Sequence, residues 1–239
     1  MKKIFLDTET TGNEMQKDRL CQICYKVDDV VRTEYFKPPV PMTVKSMSIT
    51  HITNRMLEGK KPFEGSEMKK DLQELLNIGV LIAHNALFDI TMLKSEGMSV
   101  PKYICTLRVA RALDKEAVIP EYNLQFLRYY LDLEVSGNAH DAEGDVLVLE
   151  AVFGRLLAKV VETEGSEEKA LEKMIEISST PSLYVKFNFG KHKDKKLEDV
   201  AKNDRGYLEW LLNQKVAQRD SGEGDDEDWI YTLNYYLGK

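Results

Sequence analysis

The chain opens on a short apolar run that ends in two carboxylates, Lys3-Ile-Phe-Leu-Asp7-Thr-Glu9, and this run constrains the fold more than any other feature. It predicts a buried strand that empties into a functional site. Asp7 and Glu9 are two apart, so on a strand both carboxylates leave the same face and can share one cation. Thr10, Thr11 and Gly12 follow, where the backbone must turn. With 40 acidic residues in the chain an Asp-x-Glu pair arises easily by chance. Its place at the end of a buried run is what gives this one weight.

Leu20 to Val27 and Val30 to Phe36 are β-rich runs separated by Asp28 and Asp29, a hairpin signal, so three antiparallel strands open the fold. Ser66 to Leu76 sets Met68, Leu72, Leu75 and Leu76 on one helical stripe, and Gly79 releases the chain into a strand from Val80 to Ala83. Asn85 is the expected N-cap of a helix running to Glu96, with Gly97 as its stop. A strand near Tyr103 to Cys105 precedes helices at Leu107 to Leu113, Leu124 to Leu131 and Ala142 to Val161. Strands first, then strands alternating with helices, imply an α/β domain whose mixed sheet is covered by helices. We read residues 1–162 as that domain, 163–180 as a helical linker and 181–239 as a small α+β module. In the module a β-rich run, Leu183 to Phe189, leads to helical patterns around Tyr207 to Leu212 and Trp229 to Leu237.

Two further segments carry acids. In His84-Asn-Ala-Leu-Phe-Asp89, Asp89 falls one turn into a helix, where its carboxylate can face the strand ends. The helix dipole would stabilise an aspartate there in any case. In His140-Asp-Ala-Glu-Gly-Asp145, residues five apart would diverge by about 140 degrees on one helix. His140 is therefore expected in the loop after Gly137 and Asn138, with Asp141 as N-cap and Asp145 in the first turns, so that imidazole and carboxylate converge.

Taken in order, Leu6-Asp-Thr-Glu-Thr-Thr-Gly12, His84-Asn-Ala-Leu-Phe-Asp89 and His140-Asp-Ala-Glu-Gly-Asp145 resemble the three exonuclease motifs of the DnaQ-like (DEDDh) superfamily. That group includes proofreading subunits, RNase T-like enzymes, oligoribonucleases and exonuclease X. The resemblance implies an RNase H-like exonuclease fold and hydrolysis from the 3′ end, releasing nucleoside 5′-monophosphates. It makes Asp7, Glu9, Asp89 and Asp145 the ligands of two Mg²⁺ or Mn²⁺ ions: Asp7 bridging, Glu9 and Asp145 at the ion beside the attacking water, Asp89 at the other. His140 marks the histidine subclass and becomes the general base. The chemistry agrees, since hard cations prefer carboxylate oxygen, and an imidazole with a pKa of about 6.5 can take a proton near neutrality.

By the same resemblance the last nucleotide is held by backbone around Thr10, Thr11 and Gly12 with His51, Asn85 and Phe88. Ser48-Ile-Thr-His-Ile-Thr53 is similar to the Ile/His/Thr element these enzymes carry between their first two motifs. One departure is Cys105, where relatives often have Asp before the Thr. Phe187-Asn-Phe-Gly-Lys-His-Lys193, followed by Tyr207-Leu-Glu-Trp-Leu-Leu212, resembles the C-terminal module of exonuclease X-like proteins. There Lys191 and Lys193, with Lys186, Lys195 and Lys196, sit beside Phe187 and Phe189, a mixture suited to following a phosphate backbone. The other reading is a solvated turn over buried phenylalanines.

A net charge of −7 excludes whole-surface attraction to nucleic acid but not a nuclease, whose own site is acidic before cations arrive. Carboxylates appear too early for a signal peptide, and no apolar stretch is long enough for a membrane span, so a cytoplasmic protein with no membrane partner is expected. Three cysteines, with Cys21 and Cys24 in a C-x-x-C, read as buried thiols rather than a disulfide, zinc or redox framework. The expected partner is nucleic acid with a free 3′ end, single-stranded or frayed DNA, in repair or processing. RNA stays open as the substrate of an RNase T or oligoribonuclease-like enzyme, and a homodimer stays open too. The competing class is a catalytically silent nucleic-acid-binding or polymerase-docking protein.

Overall fold

The computed structural model describes residues 1–14, 17–135, 142–221 and 226–239. Strands β1 (Lys2–Thr10), β2 (Leu20–Val27), β3 (Val30–Tyr35), β4 (Gly79–Ala83) and β5 (Tyr103–Cys105) form one sheet in the order β3-β2-β1-β4-β5. The β2–β3 hairpin turns where the sequence placed it, with Asp28 at φ 51°. β1 lies antiparallel to β2 and parallel to β4, which makes the sheet mixed, as expected.

Seven helices follow or interleave with the strands: α1 (Val44–Thr50), α2 (Glu67–Ile78), α3 (Leu87–Ser95), α4 (Thr106–Leu113), α5 (Leu124–Tyr130), α6 (Ala142–Glu164) and α7 (Glu167–Ser179). The alternation of β1 sorts its neighbours. Ile4 and Leu6 join Met68, Leu72 and Leu76 of α2 and Ile90 and Leu93 of α3 in one core. Phe5 points the other way and meets Phe153 of α6 edge-on at 5.4 Å. Such a pair adds about 1 kcal/mol to the area it buries. Lys26, paired in register with Phe5, reaches Glu150 of α6 at 2.6 Å.

Contacts divide the chain into two compact units, Met1–Leu107 with Asn123–Ile175, and Arg108–Tyr122 with Glu176–Lys239. The second unit contains α8 (Leu197–Asn203), α9 (Arg205–Asp220) and α10 (Glu227–Leu237), packed around Phe187, Leu208, Leu212, Trp229 and Leu233. It draws in residues 108–122 through buried polar bonds. Arg108 donates to the Ser178 carbonyl at 2.9 Å, and Arg111 pairs with Asp228 at 2.8 Å.

The β-rich run Leu183 to Phe189 forms no strand; its pairing is one antiparallel bridge between Lys186 and Lys196. The chain then tightens into a 3-10 turn, Gly190–His192, which stops the ladder from extending. Asn85 is not the N-cap of α3: it sits at φ 59° and Ala86 takes the cap position without a side-chain bond. The three thiols are buried and none forms a disulfide. Cys21 and Cys24 are three apart on β2 and so leave opposite faces, and burial pushes the Cys21 thiol up to about 12. No helix among the described residues is long and apolar enough to cross a membrane.

Candidate active site

The geometry starts at the end of β1. Asp7 and Glu9 continue the face that Phe5 turns to α6, and a bulge between Glu9 and Thr10 ends the regular pairing with β2. The turn beyond is tightly built. Thr10 Oγ1 donates to the Gly12 carbonyl at 2.6 Å, and Thr11 Oγ1 donates to Asp18 Oδ1 at 2.7 Å. A Cβ on Gly12 would lie 2.4 Å from the Asp18 carboxylate, so a side chain here would push that carboxylate off its bond with Thr11. Ser46 of α1 donates to the Thr11 carbonyl at 2.7 Å and pins that helix to the turn.

Asp89 lies in the first turn of α3, only 4% exposed, and accepts a 2.7 Å bond from Thr8 Oγ1. Asp145 lies in the first turn of α6. Both helices thus present their positive dipole ends to these acids. His140 and Asp141 lie outside the described residues.

The four carboxylates share one electrostatic field. Burial pushes the Asp7 carboxyl well above the usual range, and Asp89, Glu9 and Asp145 add to the effect in that order. Glu9 is pushed up to about 7 by burial and then by Asp145 and Asp89. Asp89 also rises to about 7 through burial, against the pull of the Thr8 hydroxyl and of backbone N–H groups.

Gln125 of α5, which the sequence reading did not single out, donates from Nε2 to Asp145 Oδ1 at 2.5 Å. Its only sequence signal is the Asn123 cap that starts α5 two residues earlier. Gln125 Oε1 is buried without a hydrogen-bond partner among the described residues.

This donor set fits divalent cations: four hard oxygen groups that repel one another, with an orphan acceptor beside them for a hydrated ion. Among the described residues no three His, Cys, Asp or Glu side chains already stand as a ligating group. Asp145 accepts a bond from Gln125, and Asp89 accepts one from Thr8.

The remaining residues expected to touch substrate divide. His51 ends α1 in the left-handed region at φ 58° and is exposed; Asn85 is exposed, and Phe88 is half-buried against the main core. The Thr10 and Thr11 hydroxyls are committed inside the turn, which leaves only their backbone for a ligand. Lys191 and Lys193, in the other unit, are exposed, Lys191 paired with Asp204 at 2.8 Å. Cys105 is buried in the core.

Comparison with known proteins agrees with this arrangement. The model of the Exonuclease family matches residues 4–153, and that of the exodeoxyribonuclease X-like C-terminal family matches residues 187–216. Exodeoxyribonuclease 10 of Escherichia coli (strain K12) is 29% identical over 221 residues, which cover 87% of this chain and 89% of the relative. DNA polymerase III subunit epsilon of Treponema pallidum (strain Nichols) is 31% identical over 172 residues, 66% of this chain and 78% of that one. Among solved structures, exonuclease X in complex with 5′ overhanging duplex DNA superposes with a TM-score of 0.57 at 23% identity, covering 74% of this chain and 99% of the other. The nuclease domain of 3′hExo, a DEDDh family member bound to rAMP, superposes with a TM-score of 0.53 at 13% identity, covering 66% and 92%. Mixed sheet, ordered motifs and family match lead to one conclusion: the chain belongs to the Exonuclease family and is a 3′-to-5′ exonuclease of the DEDDh type.

Proposed function

We propose that Asp7, Glu9, Asp89 and Asp145 hold two divalent cations, Mg²⁺ or Mn²⁺, that His140 is the general base, and that the substrate is the 3′ end of DNA, single-stranded or frayed. The observation that carries this reading is the convergence of the four acids: Asp7 and Glu9 leave one face at the end of β1, Asp89 and Asp145 open α3 and α6, and Asp89, Glu9 and Asp145 all push the Asp7 carboxyl up. A cation reverses that penalty, because it favours the charged form of every acid it touches. Bound there, the ions would neutralise phosphate charge and acidify the attacking water.

The chain's own residues do the rest. His140 accepts the proton of the water, a role its ordinary pKa of about 6.5 suits. Gln125 fixes the orientation of Asp145, and Thr8 fixes that of Asp89. His51 and Asn85, exposed in strained left-handed backbone, together with the face of Phe88 and the backbone of Thr10 to Gly12, hold the terminal nucleotide. We assign catalysis to residues 1–162 and contact with the strand, through Lys191 and Lys193, to the module at 181–239, joined by 163–180. The name of the Escherichia coli relative supports DNA over RNA. Buried thiols outside any disulfide suit a reducing cytoplasm.

The test is a 5′-labelled single-stranded DNA, a matching RNA and a duplex with a 5′ overhang, each with and without Mg²⁺, beside Asp7→Ala. We expect a ladder shortening from the 3′ end, dependent on metal, faster on DNA and absent in the variant. RNA degraded faster than DNA, or Asp7→Ala retaining the ladder, would overturn the substrate or the site respectively.

A further inference from the structure

The chain's two tryptophans differ sharply in their surroundings. Trp229 is 3% exposed in the core of the second unit, whereas Trp210 is 53% exposed on α9. An indole left in water forgoes the burial that usually justifies it, so its setting matters.

That setting is built. Tyr207, one turn earlier on α9, stands 5.5 Å from Trp210 ring to ring. The turn Gly190–His192 closes onto the other side of Tyr207. Gly190, at φ 69°, comes so near that an added Cβ would lie 2.9 Å from the Tyr207 hydroxyl. His192 packs edge-on against the Tyr207 ring at 4.7 Å, and Lys191 places its ammonium 5.9 Å from the ring centre. His192 is locked in place by its 2.9 Å contact with Asp204.

Charge around the indole is arranged to the same end. The nearby acids are matched within the module, Asp204 by Lys191 and His192, and Glu209 by Arg205 at 3.2 Å. Positions three and four away from Trp210 on α9 are Gly206, Tyr207, Asn213 and Gln214, a stripe with no carboxylate. Lys193 and Lys195 stay exposed beside the turn. An open aromatic face with amides one turn along its helix, backed by a tyrosine that also meets a lysine-bearing turn, matches a nucleobase on a phosphate chain.

We propose that Trp210, backed by Tyr207 with Lys191 over the Tyr207 ring, is a base-stacking platform for single-stranded nucleic acid, a binding site separate from the acids that cut it. The proposal rests on the reading of the chain as a nuclease acting on strands. The platform holds the strand by its bases, and is therefore indifferent to sequence.

The experiment uses the full chain with Asp7→Asn, to prevent degradation, and follows tryptophan fluorescence on adding an oligothymidylate of about 20 nucleotides or an abasic strand of equal length. We expect quenching by the first and not by the second. Trp210→Ala should weaken the oligothymidylate about tenfold or more while leaving the abasic strand alone. Trp210→Phe should keep most of the affinity and lose the quenching, and circular dichroism should show both variants folded. In the otherwise unaltered enzyme, Trp210→Ala should raise KM for the long strand and leave turnover of a dinucleotide unchanged. Equal oligothymidylate affinity in Trp210→Ala, or equal quenching by the abasic strand, would overturn the platform. Absent dinucleotide turnover in the unaltered enzyme would instead count against the proposed active site.

Discussion

The two compact units use aspartate in opposite ways. In the first, Asp89 is buried and Asp7 and Glu9 are half-buried in one another's field, and their carboxyl groups are pushed up. In the second, Asp204 is held below its usual value by Lys191 and His192. Asp114 is lowered as well: its burial is outweighed by the N–H groups of Val118 and Ile119 and by the Tyr122 hydroxyl. Asp228 takes two arginines and the Ser182 N–H. Acids paired with cationic side chains hold a structure together, whereas acids that repel one another store an unfavourable interaction that a bound cation would relieve.

The widest gap between the two should appear in catalysis. Asp7→Asn should lower turnover by about a thousandfold or more, while Asp204→Asn should leave turnover of a dinucleotide near that of the parent. His140→Ala should cost at least about a hundredfold and retain metal binding, as read by calorimetry. Near-normal turnover would exclude it as the base. Gln125→Ala acts through Asp145, so it should raise the Mg²⁺ needed for half-maximal rate by about tenfold. An unchanged Mg²⁺ requirement would reduce Gln125 to a packing residue.

Smaller effects follow from proton linkage. In the metal-free protein Glu9 and Asp89 keep their protons to about pH 7, whereas unfolded carboxyl groups release them near about pH 4. Between these values the folded chain binds more protons than the unfolded one, so stability should fall as pH rises through that window. Asp204 works in the reverse sense: its lowered value gives stability that is present above the unfolded carboxyl range and lost as pH falls. Asp204→Asn should therefore lower Tm slightly at neutral pH.

Much of the first unit was legible because local pattern and global packing agree there. The apolar run from Lys3 to Asp7 is buried in the middle of β1, the Asp28-Asp29 turn closes the hairpin, and Ser66 caps α2 one residue before it starts. The acids could be found because each stands at the end of a strand or the start of a helix. What stayed hidden is long-range or chemically ordinary. Arg108 and Arg111 join residues more than a hundred positions away in sequence, at Glu227 and Asp228, which no window of local periodicity reveals. Helix α1 is short, with Thr43 as its cap and no apolar stripe to announce it. Gln125 is an unremarkable glutamine until the fold brings it to Asp145. The run Leu183 to Phe189 has strand composition, yet its Phe187 is buried among helices.

The decisive measurement is the thermal unfolding of metal-free protein and of Asp7→Asn at neutral pH, each repeated with Mg²⁺. If the four acids form one cation site, Asp7→Asn raises the metal-free Tm by roughly 3 to 6 °C, and Mg²⁺ stabilises the parent far more than the variant. If Asp7→Asn instead lowers the metal-free Tm, as Asp204→Asn should, and Mg²⁺ stabilises both proteins equally, the four acids are not that site.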